Sequence, residues 1–210
     1  DMAALKPDSF EAVHLFAEAS RLAFADRDMY LGDSDFVEVP VAGLLSPPYL
    51  RQRARMIRID RTIGPSPLPP GTPDGGAALD RAPGVAVDLP STSHFSIIDA
   101  EGNAVSMTSS VEAPFGSQLM AAGFILNNQL TDFSFIAERD GRPVANAVAK
   151  GKRPLSSMAP VLVFDDDRNL IASLGSPGGT RIIDYVAQTL VGLIDWKLDM
   201  QSAIDLPRIV

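Results

Sequence analysis

Thr92-Ser93-His94-Phe95-Ser96-Ile97-Ile98-Asp99, followed by Ala100-Glu101-Gly102-Asn103 and then Ala104-Val105-Ser106-Met107-Thr108-Ser109-Ser110-Val111, is the stretch on which the fold turns. Small or polar residues alternate with larger ones on both sides of a turn-forming tetrad. That is the period-two pattern of a β-hairpin. Downstream, the apolar run Val161-Leu162-Val163-Phe164 is turned by Asp165-Asp166-Asp167-Arg168-Asn169 into Leu170-Ile171-Ala172-Ser173-Leu174, which predicts a second hairpin. Phe124-Ile125-Leu126 is a shorter apolar run. After Pro177-Gly178-Gly179, the spacing of Ile182, Ile183, Val186, Leu190 and Leu193 predicts a helix that buries one face.

Outward toward the N-terminus the material changes. Between Ile63 and Pro90 stand Pro65, Pro67, Pro69, Pro70 and Pro73, with Gly71, Gly75 and Gly76 among them. No regular element of useful length survives that density of breakers, so the segment reads as an exposed, poorly ordered linker. It is either a plain interdomain loop or a place where the chain is cut. Before it, Phe10, Val13, Phe16, Ala17 and Phe24 recur at helical spacing, predicting a helix from Ser9 to about Asp28 with Ser9 as its cap. A second helix is expected from Pro48 to about Ile59. Its Arg51, Arg53 and Arg55, with Arg58 and Arg61 beyond, read as a solvated amphipathic face. Strands in one half and helices flanking them fit a layered α/β or α+β chain.

Composition narrows the chemistry. With 46% hydrophobic residues, the 210-residue chain can fill a core. Its net charge of −8 offers no basic stripe beyond that arginine cluster, so a nucleic-acid partner is not expected. There is no cysteine, hence no disulfide, thiol nucleophile or thiolate metal site, and with only His14 and His94 a histidine-rich metal site is not expected. No apolar run approaches the roughly 20 residues of a membrane span, and no signal peptide is visible at Asp1. Hydroxyls, carboxylates, amides and backbone groups must carry any reaction. Candidates are Ser91-Thr92-Ser93 at the start of a strand, Thr108-Ser109-Ser110 on its neighbour, Ser156-Ser157, and Ser176-Pro177-Gly178-Gly179-Thr180 opening a helix. Each alone is a weak signal, since such groups usually cap or turn the backbone.

Their order carries more. Thr92-Ser93-His94-Phe95-Ser96, Gly102-Asn103-Ala104-Val105 and Pro114-Phe115-Gly116-Ser117 resemble the start of the small subunit of γ-glutamyltranspeptidases. So do Leu126-Asn127-Asn128-Gln129-Leu130-Thr131-Asp132-Phe133-Ser134, Lys152-Arg153-Pro154-Leu155-Ser156-Ser157-Met158-Ala159-Pro160, and Gly175-Ser176-Pro177-Gly178-Gly179-Thr180-Arg181. Ala23-Phe24-Ala25-Asp26-Arg27 and Tyr30-Leu31-Gly32-Asp33 are similar to the end of that family's large subunit. The likeness covers nearly everything outside residues 60–90.

The resemblance implies an α+β fold, the four-layer αββα sandwich of the N-terminal-nucleophile hydrolases, of which this chain is expected to be a fragment. It divides the chain into residues 1–62, the end of the large subunit; 63–91, a linker ending at a self-cleavage site; and 92–210, the start of the small catalytic subunit. The bond expected to break is Ser91–Thr92, leaving a heterodimer with Thr92 as nucleophile and its freed amine as base. Ser110 matches a hydroxyl that hydrogen-bonds the nucleophile. Gly178 and Gly179 match the backbone donors that face the oxyanion. Gln129 and Asp132 match residues that hold the substrate's α-amino group, and Ser156 and Ser157 match those that hold its α-carboxylate. Glu112 stands where many members have asparagine, and a carboxylate there still accepts from an ammonium. His94 is expected to pack or hydrogen-bond rather than act as base. Residues 135–151 correspond to a lid over the pocket.

The function so implied is a self-processing γ-glutamyl transferase and hydrolase acting on glutathione and other γ-glutamyl amides, with water, amino acids or dipeptides as acceptors and no cofactor. A related glutaryl or cephalosporin acylase, and an uncleaved or truncated non-catalytic module, remain as alternatives. Family members are longer. The arginine that grips the α-carboxylate is accordingly expected upstream of Asp1, and further strands beyond Val210. By the same resemblance the protein is expected in the periplasm or secreted from a bacterium, with the cytoplasm as the other possibility.

Overall fold

The computed structural model describes residues 1–77, 79–84 and 91–210. In chain order its helices and strands are α1 (Phe10–Tyr30), α2 (Val41–Leu44), α3 (Pro47–Ala54), β1 (Thr92–Ile98), β2 (Ala104–Ser110), β3 (Met120–Ala121), β4 (Phe124–Ile125), β5 (Glu138–Arg139), β6 (Arg142–Pro143), β7 (Val161–Phe164), β8 (Leu170–Leu174), α4 (Ile182–Ile194) and α5 (Met200–Asp205). Short 3-10 turns cover Met2–Ala4, Gln129–Asp132 and Gly179–Arg181. The chain forms two compact units. One holds residues 3–87 and 130–155; the other holds residues 88–129 and 156–210.

The first unit is built on α1. Ser9 caps it as expected, its hydroxyl accepting the Ala12 N–H at 3.2 Å. The buried face carries Ala12, Phe16, Leu22 and Tyr30, but also Glu18, Asp26 and Arg27. Those carboxylates explain why residues 63–84, where described, are fastened at several points and buried in part, where their composition predicts an exposed linker. Proline lacks an N–H and the segment has no ladder partner, so its remaining donors need acceptors from elsewhere. Asp26 Oδ1 accepts the Gly71 N–H at 2.7 Å, and Glu18 Oε2 accepts the Ile63 N–H at 2.9 Å. Arg21 donates to the Gly64 carbonyl and to Ser66 Oγ. Leu68 and Pro73 are buried, and Ala82 is fully so, with its N–H on the Pro143 carbonyl at 3.0 Å. Residue 78 and residues 85–90 of the expected linker lie outside the described part.

The arginine-rich helix also departs from expectation. It stops at Ala54, and Arg53 is buried rather than solvated. Its guanidinium lies 3.1 Å from Asp26 Oδ1 and donates to the carbonyls of Leu22 and Pro69. Tyr49 donates to Asp26 Oδ2 at 2.7 Å, and Tyr30 donates to the Gly71 carbonyl at 2.7 Å. Burial, and the Asp26 carboxylate that accepts its hydrogen bond, hold the Tyr49 hydroxyl well above the usual phenol range.

In the second unit β1 and β2 form the expected antiparallel hairpin, with Thr92 opposite Ser110, His94 opposite Thr108 and Ser96 opposite Ser106. Asp99 closes the turn by accepting the Asn103 N–H and side-chain amide, both at 2.8 Å. β7 and β8 pair in the same way. One face of that pair, Ala172 and Leu174 with Val161 and Val163, packs on Ile182, Val186, Leu190 and Leu193 of α4. Each fully buried aliphatic side chain there contributes about 1.5–3 kcal/mol. On the other face Ser173 Oγ meets Ser96 Oγ at 2.9 Å. The order within the unit is therefore helix, hairpin, hairpin. The apolar run at 124–126 gives only the two-residue β4, paired with β3 and exposed.

Replacing Asp26 with alanine leaves the Arg53 guanidinium buried and unpaired and orphans the Gly71 N–H. The expected loss is about 3–5 kcal/mol in denaturant unfolding, with faster protease cleavage within residues 63–77. An unchanged midpoint and cleavage rate would refute this role.

Candidate active site

Thr92 opens β1, so its side chain shares a face with His94 and Ser96. Across the ladder, Thr92 Oγ1 donates to Ser110 Oγ at 3.3 Å. Ser110 Oγ in turn donates to the carbonyl oxygen of Ser91 at 2.7 Å and accepts the Glu112 N–H at 2.9 Å. A single hydroxyl thus stands between the Thr92 oxygen and the carbonyl that precedes it.

Glu112 follows directly. It is buried, has a φ of 76° that few non-glycine residues adopt, and its Oε2 accepts from Gln129 Nε2 at 3.0 Å. Asn128 fastens this contact, its Oδ1 taking the Ala113 N–H at 2.8 Å while its own N–H reaches the Val111 carbonyl at 3.2 Å. Thr92, Ser110, Glu112 and Gln129 are thereby joined through three short links. Ser156 and Ser157 belong to the same unit. The Ser156 hydroxyl accepts the Met158 N–H at 3.2 Å. Asp132 belongs to the other unit, where its backbone carbonyl is held by Asn146 and its charge is felt by the buried Arg27.

Gly178 and Gly179 have φ values of 135° and 61°. A Cβ on Gly178 would stand 2.9 Å from the Tyr185 ring in an already unfavourable conformation, so glycine is required. The pair leads through the 3-10 turn into α4, which puts it near the positive end of that helix dipole. The side chain of His94 is occupied. Nδ1 is 2.9 Å from Thr108 Oγ1, Nε2 is 3.2 Å from Ser96 Oγ, and burial lowers its pKa. The imidazole lies directly over Gly175, where any side chain would collide with it.

Two features of the first unit had no signal in the spacing of residues. Arg153 grips Asp33, with NH2 to Oδ1 at 2.6 Å, Nε to Oδ2 at 3.0 Å and the backbone N–H to Oδ2 at 2.8 Å, and a further bond to Asp35 at 2.6 Å. Asn146 is buried and makes two side-chain bonds. Arg153 stands inside a block already noted for its resemblance and Asn146 inside residues 135–151, matched to a lid; neither residue was given a partner or a role there.

The model of the gamma-glutamyltranspeptidase family matches residues 1–210, and the chain belongs to that family. It is 39% identical to the glutathione hydrolase proenzyme of Bacillus subtilis strain 168 over 210 residues, covering 96% of this chain and 34% of that protein. Identity to the Escherichia coli K12 glutathione hydrolase proenzyme is also 39%, over 95% of this chain and 34% of the relative. The acylase ACY 1 proenzyme of Pseudomonas sp. strain SE83 is 36% identical over 100% of this chain and 34% of its own length. The chain thus spans about a third of the curated relatives it matches. With the family comes the expected α+β N-terminal-nucleophile hydrolase class. Among the described residues, no helix is long and apolar enough to cross a membrane.

The Asp33–Arg153 clamp makes a testable pH signature. Bonds from the Arg153 side chain first, and its backbone N–H second, hold the Asp33 carboxyl far below the usual carboxylate range. A depressed folded-state value contributes stability above the unfolded pKa of about 3.9, and that contribution fades as pH falls below it. Asp33→Asn is expected to lower Tm at pH 7 and to lose less Tm than the parent between pH 5 and pH 3. Parallel Tm–pH curves would show that the clamp does not stabilise.

Proposed function

We propose that this chain carries the catalytic centre of a self-processing γ-glutamyl transferase and hydrolase, with Thr92 as its nucleophile. The observation that carries the reading is the link from Thr92 Oγ1 through Ser110 Oγ to the Ser91 carbonyl oxygen. Residues 1–62 and 63–91 are then the end of the large subunit and the segment leading to the cut, and residues 92–210 belong to the small subunit.

Processing begins when Thr92 Oγ1 attacks the Ser91 carbonyl carbon, closing a five-membered ring of that carbon with Thr92 N, Cα, Cβ and Oγ1. Ser110, already donating to the carbonyl oxygen, supports the charge that develops on it. Collapse breaks the C–N bond, the nitrogen taking up the proton lost from Oγ1, and leaves Thr92 with a free amine and an ester on its oxygen. Water opens the ester, giving a Ser91 carboxylate and restoring the Thr92 hydroxyl beside that amine. That amine, with a reference pKa near 7.7–8.0, can take the proton from its own hydroxyl at neutral pH.

Turnover repeats the attack on a γ-glutamyl amide such as glutathione. Gly178 and Gly179 offer N–H groups to the oxyanion, the leaving amine departs with a proton, and the γ-glutamyl-Thr92 ester is captured by water, an amino acid or a dipeptide. Glu112, Gln129 and Asp132 receive the substrate ammonium, and Ser156 and Ser157 its carboxylate. The buried Glu112 carboxylate favours a γ-glutamyl over a glutaryl substrate, because only the former brings a cation to it. The site needs neither metal nor cofactor in this scheme. A periplasmic or secreted bacterial location accords with the family.

Thr92→Ala in the complete gene product is expected to abolish both cleavage between residues 91 and 92 and hydrolysis of γ-glutamyl-p-nitroanilide. Intact-mass spectrometry and the anilide assay read the two losses, and retained turnover would exclude Thr92 as nucleophile. Ser110→Ala removes the donor to the Ser91 carbonyl, and processing should slow about 10²-fold. Processing at the parent rate would remove Ser110 from the scheme.

A further inference from the structure

Asn146 is buried at 7% exposure and uses both ends of one side-chain amide. Nδ2 donates to the carbonyl oxygen of Asp132 at 2.7 Å, and Oδ1 accepts the N–H of Leu155 at 3.0 Å. The partners settle which end is which, since a carbonyl can only accept and an N–H can only donate. The backbone of Asn146 is held as firmly. Its carbonyl accepts the Ser134 N–H at 2.9 Å, and Lys152 Nζ donates to the carbonyls on either side, Ala145 at 2.6 Å and Ala147 at 2.9 Å. Burial pushes the Lys152 ammonium down in pKa. One residue beyond Lys152, the Arg153 N–H is fixed on Asp33 at 2.8 Å.

We infer that Asn146 is a positioning residue for recognition of the substrate ammonium, fixing the backbone of Asp132 against that of Leu155 within the first unit. This rests on the function proposed above, in which Asp132 meets the substrate ammonium and Ser156 and Ser157 meet its carboxylate. Only a group that is donor at one end and acceptor at the other can bridge a carbonyl to an N–H. Aspartate would set an oxygen against the Asp132 carbonyl while still accepting from Leu155. It therefore perturbs the ammonium side selectively.

The test is Asn146→Asp in the complete gene product, measured against the parent for cleavage between residues 91 and 92 and for KM and kcat on γ-glutamyl- and glutaryl-p-nitroanilide. Cleavage uses Thr92, Ser110 and Ser91, none of them bonded to Asn146, and should reach the parent's extent. KM for the γ-glutamyl anilide should rise about tenfold, the worth of one lost hydrogen bond, with kcat within about threefold. KM for the glutaryl anilide, which has no ammonium for Asp132, should change less. Equal rises for both substrates, or a fall in kcat at constant KM, would overturn the positioning role. If Asn146→Asp does not fold, Asn146→Ser is judged by the same ratio, since one hydroxyl cannot replace both bonds. A parent that turns over neither anilide overturns the proposed function and this role with it, whereas an active parent with an indifferent variant overturns the role alone.

Discussion

The register of β1 against β2 is the constraint from which the chemistry of the second unit follows. Side chains alternate along a strand, so the face that carries Thr92, His94 and Ser96 meets the face that carries Ser110, Thr108 and Ser106. A slip of one residue would turn those hydroxyls outward and bring Phe95, Ile97, Val105 and Met107 in their place. Only in the observed register does the Ser110 hydroxyl reach both the Thr92 oxygen and the Ser91 carbonyl. The Asp99–Asn103 bonds set this pairing from the turn.

The same hydroxyl face also locates the glycine turn. Ser106 Oγ donates to the Leu174 carbonyl at 2.9 Å, and Ser96 Oγ donates to the Ser173 carbonyl at 3.2 Å. Apolar packing tolerates sliding, but a hydroxyl aimed at a particular carbonyl does not. β8 is therefore held at its C-terminal end from one side by directional bonds and buried from the other by α4. Gly175 follows immediately beneath His94, and the chain then runs through Ser176 and Pro177 to Gly178 and Gly179. The starting point of the glycine turn is thus tied to the strand that bears Thr92.

How much of this could be read from the chain alone differs by region. Both hairpins and α4 were legible because their periods, two and 3.6, are local properties of the residues. The Thr92–Ser110 contact was legible only through the family resemblance, which matched Ser110 to a hydroxyl beside the nucleophile. The hydrogen bond of Glu112 with Gln129 was not legible, since it lies beyond the strand ladder and depends on the left-handed backbone at Glu112. Composition misled over residues 63–84 for a related reason. Proline and glycine describe what a segment cannot do by itself, while the acceptors for Gly71 and Ile63 sit 45 residues earlier on α1. Arg53 looks like its four neighbouring arginines in the chain, and only Asp26 distinguishes it.

Three buried carboxylates in the first unit share one arrangement. Glu18 takes the Ile63 N–H and Arg21, Asp26 takes the Gly71 N–H and Arg53, and Asp33 takes the Arg153 N–H together with the guanidinium of the same residue. Where both partners are buried, as in Asp26–Arg53, an ion pair by itself barely offsets the cost of taking two charges out of water. If stability were the only demand, an apolar pair of equal volume would serve as well or better. An apolar pair, however, would leave each of those backbone N–H groups unsatisfied, at roughly 1–3 kcal/mol apiece. The carboxylates are therefore best understood as fixing the path of chain that has no ladder of its own. Each replaces the missing strand partner with a single carboxylate acceptor, and an arginine contacts the same carboxylate.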